Sequence, residues 1–279
     1  MPEIVYEIPQ VQLAIYFMLA AVAAMFFGIL VVKPVLRLLF GTGPEFNQNL
    51  SFGSAGFNLF YGLLLGLLTV SAYQNNTRVQ MAIEAEASAI AVLYNDMDSY
   101  SDPTRSSMKA MLRDYVLYTV YRDWPAHREG QFLDGGQNRA SAMSQTLYGY
   151  RPTEGGETVM HAAVIRRLGE FNDARQERLN GVTTAIPNVL WYAVLMGAGV
   201  SVLLVVLLRM RPHQQFLIGT ISSVFLGVIL FVIVTLDQPL RGESGLEPTP
   251  FQLLWDRQMR WDEGLPSLTA ADTGDKQDG

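Results

Sequence analysis

The 279-residue chain has no cysteine and only three histidines, and charged residues make up just 16% of it. The missing cysteine excludes disulfides, thiolate metal sites and thiol catalysis. His127, His161 and His213 stand far apart with no carboxylate or second histidine at ligand spacing, so no metal site is expected. There is no P-loop, no serine-nucleophile elbow and no glycine-rich nucleotide fingerprint, which leaves enzyme chemistry and a bound cofactor without support. A net charge of -6 argues against nucleic acid as a partner. No basic region precedes the first apolar run, and that run is too long for a cleavable leader.

The shortage of charge is local. A soluble domain carries roughly 25% charged residues. Between Gln74 and Pro187 the chain has 12 Lys/Arg and 14 Asp/Glu, and from Asp237 onward 4 and 9. Elsewhere charge is nearly absent. Four blocks are long enough to cross a bilayer as helices: Val11 to Val32, Phe57 to Tyr73 (beginning near Phe52), Val189 to Leu208 and Phe216 to Leu236. The expected fold is therefore an all-α membrane protein with four transmembrane helices in two hairpins. Residues 1–73 form the first hairpin, 74–187 a soluble helical insert and 188–236 the second hairpin. Residues 237–279 form a membrane-surface turn, a short helix over 251–259 and a disordered acidic tail. Residues 33–50 and 209–213 join the paired spans, so by parity the N-terminus, insert and tail share one side. Lys33, Arg37, Arg209 and Arg211 place the short loops inside. Arg78, Arg175, Arg178 and Arg241 at the opposite ends leave the side undecided.

In the insert, the apolar spacing of Met81 to Tyr94 predicts a helix continuing the second span. Asp102-Pro103 opens another, with Asp as cap and Pro in the first turn; it is expected to stop near Trp124-Pro125. Residues 130–136 and 151–156 read as loops, 138–148 as a short helix and 157–180 as a long one capped by Gly181. Glu84 and Glu86, two apart, point to different faces and read as solvated.

The spans contain no Asp, Glu, Lys, Arg or His, which disfavours proton-coupled transport and leaves a passive pore open. Phe57, Asn58, Tyr61 and Thr69 on the second span are the pore-lining candidates. Gly53, Gly56, Gly62 and Gly66 are candidates for close helix packing, with Gly62-Leu-Leu-Leu-Gly66 a small-xxx-small motif. Polar residues on the other spans (Ser201, Thr220, Ser222, Ser223, Thr235) read as interhelical contacts.

Several motifs occur in an order and spacing similar to those of the bestrophin-like family of membrane proteins. They are Glu84 to Tyr94, Tyr115, Asp123-Trp124-Pro125, Asn172 to Leu179 with Arg175 and Arg178, Pro187 with Trp191, Leu236-Asp237-Gln-Pro239-Leu-Arg-Gly242, and Pro248-Thr-Pro250-Phe251. The resemblance covers the second span to Phe251. It implies an oligomeric, passive channel for chloride or bicarbonate, lined by the second span, with the insert in the cytosol. The acidic cluster that holds calcium in bestrophins is represented here only by Glu243 and Glu247. The expected location is the inner cell membrane, with the lipid bilayer as a partner. A homo-oligomeric channel and an accessory subunit bound to other membrane proteins are the two alternatives.

Overall fold

The computed structural model describes residues 8–40, 44–153, 155–242 and 245–262; for 37–40 and 44–46 only the backbone is described. The expected disordered end, from Pro266, and Glu243 lie outside these residues. The described chain is helical throughout, without strands. Four helices are long and apolar enough to cross a membrane: Gln10–Leu36, Asn47–Ser99, Asn188–Leu207 and Pro212–Asp237. Two compact units result, one from residues 1–76 and 185–238, the other from 77–184 and 239–279.

The first unit holds the spans. α1 (Gln10–Phe27) passes through a π-helical turn, 28–32, into α2 (Lys33–Phe40). The first half of α3 (Pro44–Asp96), α8 (Asn188–Leu207) and α9 (Pro212–Asp237) complete it. The expected 33–50 linker is thus largely helix. α1 lies mainly along α9, with Phe26 and Phe216 ring centroids 5.4 Å apart. α8 and α9 are joined by the short turn 208–211.

The helix of the first span runs on past Val32, so Lys33, just beyond the expected span, belongs to the same helix and is buried. Its ammonium donates to the Leu208 carbonyl (3.0 Å) and to the Gln215 side chain. Gln215 in turn donates to the carbonyls of Val206 (2.9 Å) and Val205 (3.2 Å). The last carbonyls of a helix have no partner within it and carry partial negative charge. Lys33 and Gln215 supply both the hydrogen bonds and the cation.

The second unit is built on the other half of α3. Val79, Ile83, Ile90, Leu93 and Met97 recur on one face and are buried. α4 (Thr104–Tyr118), α5 (Trp124–Arg128), α6 (Asp134–Gly149) and α7 (Gly155–Thr183) pack around them. α4 starts after Pro103 and does not stop at Pro125. A π-helical turn, 119–123, leads directly into α5, where Pro125 falls in the first turn and its missing N–H is harmless.

Two expected loop or cap glycines lie inside helices. Gly136 belongs to the first turn of α6, where a Cβ would come within 2.4 Å of Asp123 Oδ2. Gly181 lies within α7, where a Cβ would meet Val79 Cγ2 at 2.5 Å. Close approach, rather than chain reversal, is what requires glycine at both positions.

The start of the tail packs within the second unit. Gly242, at φ 74°, donates its N–H to the Arg128 carbonyl at 3.0 Å. Leu246 donates to the Pro239 carbonyl (2.7 Å), and Pro248 and Pro250 begin α10 (Thr249–Leu254). Leu240, Phe251, Leu254, Trp255 and Met259 are buried in the same core as α3 and α4.

Candidate functional sites in the second span and the insert

At about 100° per residue, Ser54, Tyr61, Leu65, Leu68 and Ala72 share one side of α3, and all are buried. The Tyr61 hydroxyl donates to the Val194 carbonyl of α8 at 2.9 Å. Phe57 stacks on Tyr61 at 5.9 Å, beside a cluster that includes Trp191, Leu230 and Ile233. Two pore-lining candidates therefore face their own chain. Asn58 is exposed at the edge of this side, its Oδ1 accepting a hydrogen bond from Ser201 (3.0 Å). Thr69, half-buried, returns its hydroxyl to the Leu65 carbonyl one turn earlier (2.8 Å).

The opposite side of α3 is bare. Phe52, Leu59, Leu63, Leu67 and Val70 are 53–86% exposed. Gly53, Gly56, Gly62 and Gly66 have open space where a Cβ would stand. By the same angular count, Gly56 lies on the bare side itself, Gly53 beyond one edge of it, and Gly62 and Gly66 beyond the other. Reading the span as a helical wheel would have separated these faces; residue type alone could not.

In the insert, the motif residues converge on a buried charge network. Glu86 on α3, expected to be solvated, is fully buried, as are Arg178 on α7 and Tyr115 on α4. Arg178 Nε donates to Glu86 Oε2 (2.6 Å) and Nη2 to Oε1 (3.1 Å), while the Tyr115 hydroxyl donates to Oε1 (2.6 Å). The Arg178 guanidinium also lies 5.4 Å from the Trp124 ring centroid and 5.9 Å from that of Phe251. Its Nη1 stands 3.3 Å from His127 Nδ1. Burial, reinforced by Arg178 and Arg175, holds His127 down at about 3. The ring is therefore neutral, Nδ1 accepts from Arg178, and the ring proton belongs on Nε2.

Asp123 and Arg175 complete the network without pairing with each other. Burial pushes the Asp123 carboxyl up to about 6, although Arg178 and Arg175 pull it down. Its Oδ1 is buried without a partner, as are Thr119 Oγ1, Arg128 Nε and Arg175 Nε. Arg175 Nη1 donates to Gln137 Oε1 at 2.7 Å. Glu84 is exposed, so the two glutamates do face different ways. The network ties α3, α4, α5 and α7 together, and the sequence shows no local sign of it because Glu86 and Arg178 are 92 residues apart. Among the described residues, no group of His, Asp and Glu is placed to hold a metal. Asp237, another motif residue, ends α9 and accepts the Ile186 N–H at 2.6 Å.

A bestrophin-like domain model matches residues 19–251. No curated protein matches the chain. Two crystal structures of mutants of a bacterial bestrophin homologue from Klebsiella pneumoniae share the fold. One gives a TM-score of 0.66 at 10% identity, over 90% of this chain and 99% of that one. The other gives 0.63 at 11%, over 87% and 98%. The family match spans most of the chain and the fold agrees along nearly all of both homologue chains, so this protein belongs to the bestrophin-like family.

Proposed function

We propose that copies of this chain form a homo-oligomeric ring whose α3 helices line a passive pathway for small anions such as chloride or bicarbonate. The bare side of α3 carries this reading: one chain leaves Phe52, Leu59, Leu63, Leu67 and Val70 uncovered. The glycines on and beside this side let neighbouring helices approach closely. The proposed lining is accordingly this apolar side. Phe57 and Tyr61 brace α3 from behind, and Asn58 and Thr69 sit at the border.

The helix has no Asp, Glu, Lys, Arg or His between residues 47 and 77, so no charged group holds a passing ion. An apolar constriction of this kind gates by wetting. The positive end of the α3 dipole, at its N-terminus, favours anions over cations. In this reading the protein is a multi-pass protein of the inner cell membrane.

Purified protein reconstituted into planar bilayers should pass current whose reversal potential follows chloride in a KCl gradient. Leu63→Asn, which wets the constriction, should raise conductance several-fold. Silent bilayers containing intact oligomers would overturn the channel, and cation-following reversal potentials its selectivity. A monomer co-purifying in fixed ratio with another polypeptide would favour the accessory-subunit alternative.

A further inference from the structure

We infer that a groove between α6 and α7 in the insert binds a small molecule bearing an oxyanion, a carboxylate or a phosphate ester, anchored by Arg175. The groove is open to one side and offers about 420 Å³, a volume within the range of small-molecule sites. Gln137, Ser141 and Ser144 line it from α6, and Asn172, Arg175 and Gln176 from α7. Among the described residues, none lining it is acidic, and Arg175 is the one cation.

Arg175 differs from its neighbour one turn along. Arg178 is answered by a carboxylate on two nitrogens. Arg175 is 5% exposed, yet it makes no ion pair among the described residues. Its Nη1 is held only by the neutral Gln137 amide, and its Nε has no partner. A Cβ on Gly136 would lie 2.4 Å from Asp123 Oδ2 and 3.4 Å from Arg175 Nη2, so both side chains close on the space this glycine leaves open, without forming an ion pair with each other.

A buried guanidinium with no carboxylate in contact is unfavourable, whereas a planar fork of donors matches an oxyanion's two oxygens. Gln137 Oε1 occupies the position of one such oxygen, with its amide nitrogen directed at Ser141 Oγ (3.3 Å). An incoming oxyanion displaces that amide oxygen and finds hydroxyl and amide donors along both walls. The ligand's body then rests on Tyr148, which is exposed at the end of α6.

The full-length protein in detergent can be titrated calorimetrically with sodium benzoate, sodium succinate and inorganic phosphate in a chloride buffer of constant ionic strength. Saturable binding is expected for at least one. Benzoate or succinate alone would mark a carboxylate ligand, and phosphate alone a phosphate ester. Arg175→Gln should weaken binding at least about 10-fold, the scale of a charge-assisted hydrogen bond. Ser144→Trp, which fills the groove and leaves Arg175 in place, should abolish it; this second variant keeps the test decisive if the first fails to fold. No saturable binding by any probe, or unchanged affinity in either folded variant, overturns the inference. Conduction in bilayers is a separate readout and does not enter.

Discussion

Replacing Glu86 by Met leaves the fully buried Arg178 guanidinium with no carboxylate in contact, and replacing Arg178 by Met strands the carboxylate with only the Tyr115 hydroxyl. Breaking a buried pair from one side costs about 3–5 kcal/mol, whereas exchanging both partners for apolar residues is often neutral. In a folding unit of this size about 1 kcal/mol moves the melting temperature by about 3 °C. Each single variant should therefore melt about 9–15 °C below the parent. The double variant retains two defects, the Tyr115 hydroxyl left without its acceptor and His127 Nδ1 left without its donor, at about 1–3 kcal/mol each. It should still lose clearly less than the two single losses added together. Melting of the detergent-solubilised protein can be followed by tryptophan fluorescence, since Trp124 lies against the Arg178 guanidinium. Additive single-variant losses in the double variant would refute the coupling, as would single-variant shifts below about 2 °C.

Three further outcomes follow from the same packing. Asp123, raised to about 6 when folded against about 3.9 unfolded, gives stability that is lost as pH rises through 6. His127, held at about 3 when folded against about 6.5 unfolded, gives stability that is lost as pH falls below 6.5. The two oppose each other between about pH 4 and 6, so in pH-dependent melts His127→Gln should gain stability relative to the parent on acidification across that window, and Asp123→Asn should lose it. Gly181→Leu forces a side chain into Val79 and should cost about 1–3 kcal/mol, with Val79→Ala restoring part of the loss by chemical denaturation. Phe251→Ala removes a fully buried ring and should cost about 3–5 kcal/mol, measured by the loss of protease resistance of the insert.

The spans were legible because hydrocarbon excludes charge, a rule that operates on composition alone. It ended the first span at Val32 and could not show the partners of Lys33, whose charge is accommodated by the end of a helix that begins 155 residues later. Glu86 was read as solvated for a related reason: a lone carboxylate on a helix looks the same in sequence whether water or a distant arginine answers it. The glycines of α6 and α7 misled because local propensity treats glycine as a terminator, while Asp123 and Val79 require it for clearance. Pro125 did not end its helix because the π turn before it reset the hydrogen-bond register. Among the pore-lining candidates, Tyr61 was read from its polar group alone; the structure hydrogen-bonds it to the chain's own α8, with Phe57 stacked on it, a contact that residue type does not reveal.

The position of Phe251, Trp255 and Met259 in the core of residues 77–184 has a consequence for biosynthesis. The insert emerges from the ribosome long before the segment that completes it, with both remaining spans still to be made. At about 5–20 residues per second, the half-built domain waits on the order of ten seconds with an apolar cavity open to water. Its two parts can close into one core only when they stand in the same compartment, so the second pair of spans must both cross the bilayer before the domain can finish folding. A chain that fails to insert either of them is left with an unfilled domain, a defect that proteolytic quality control can recognise.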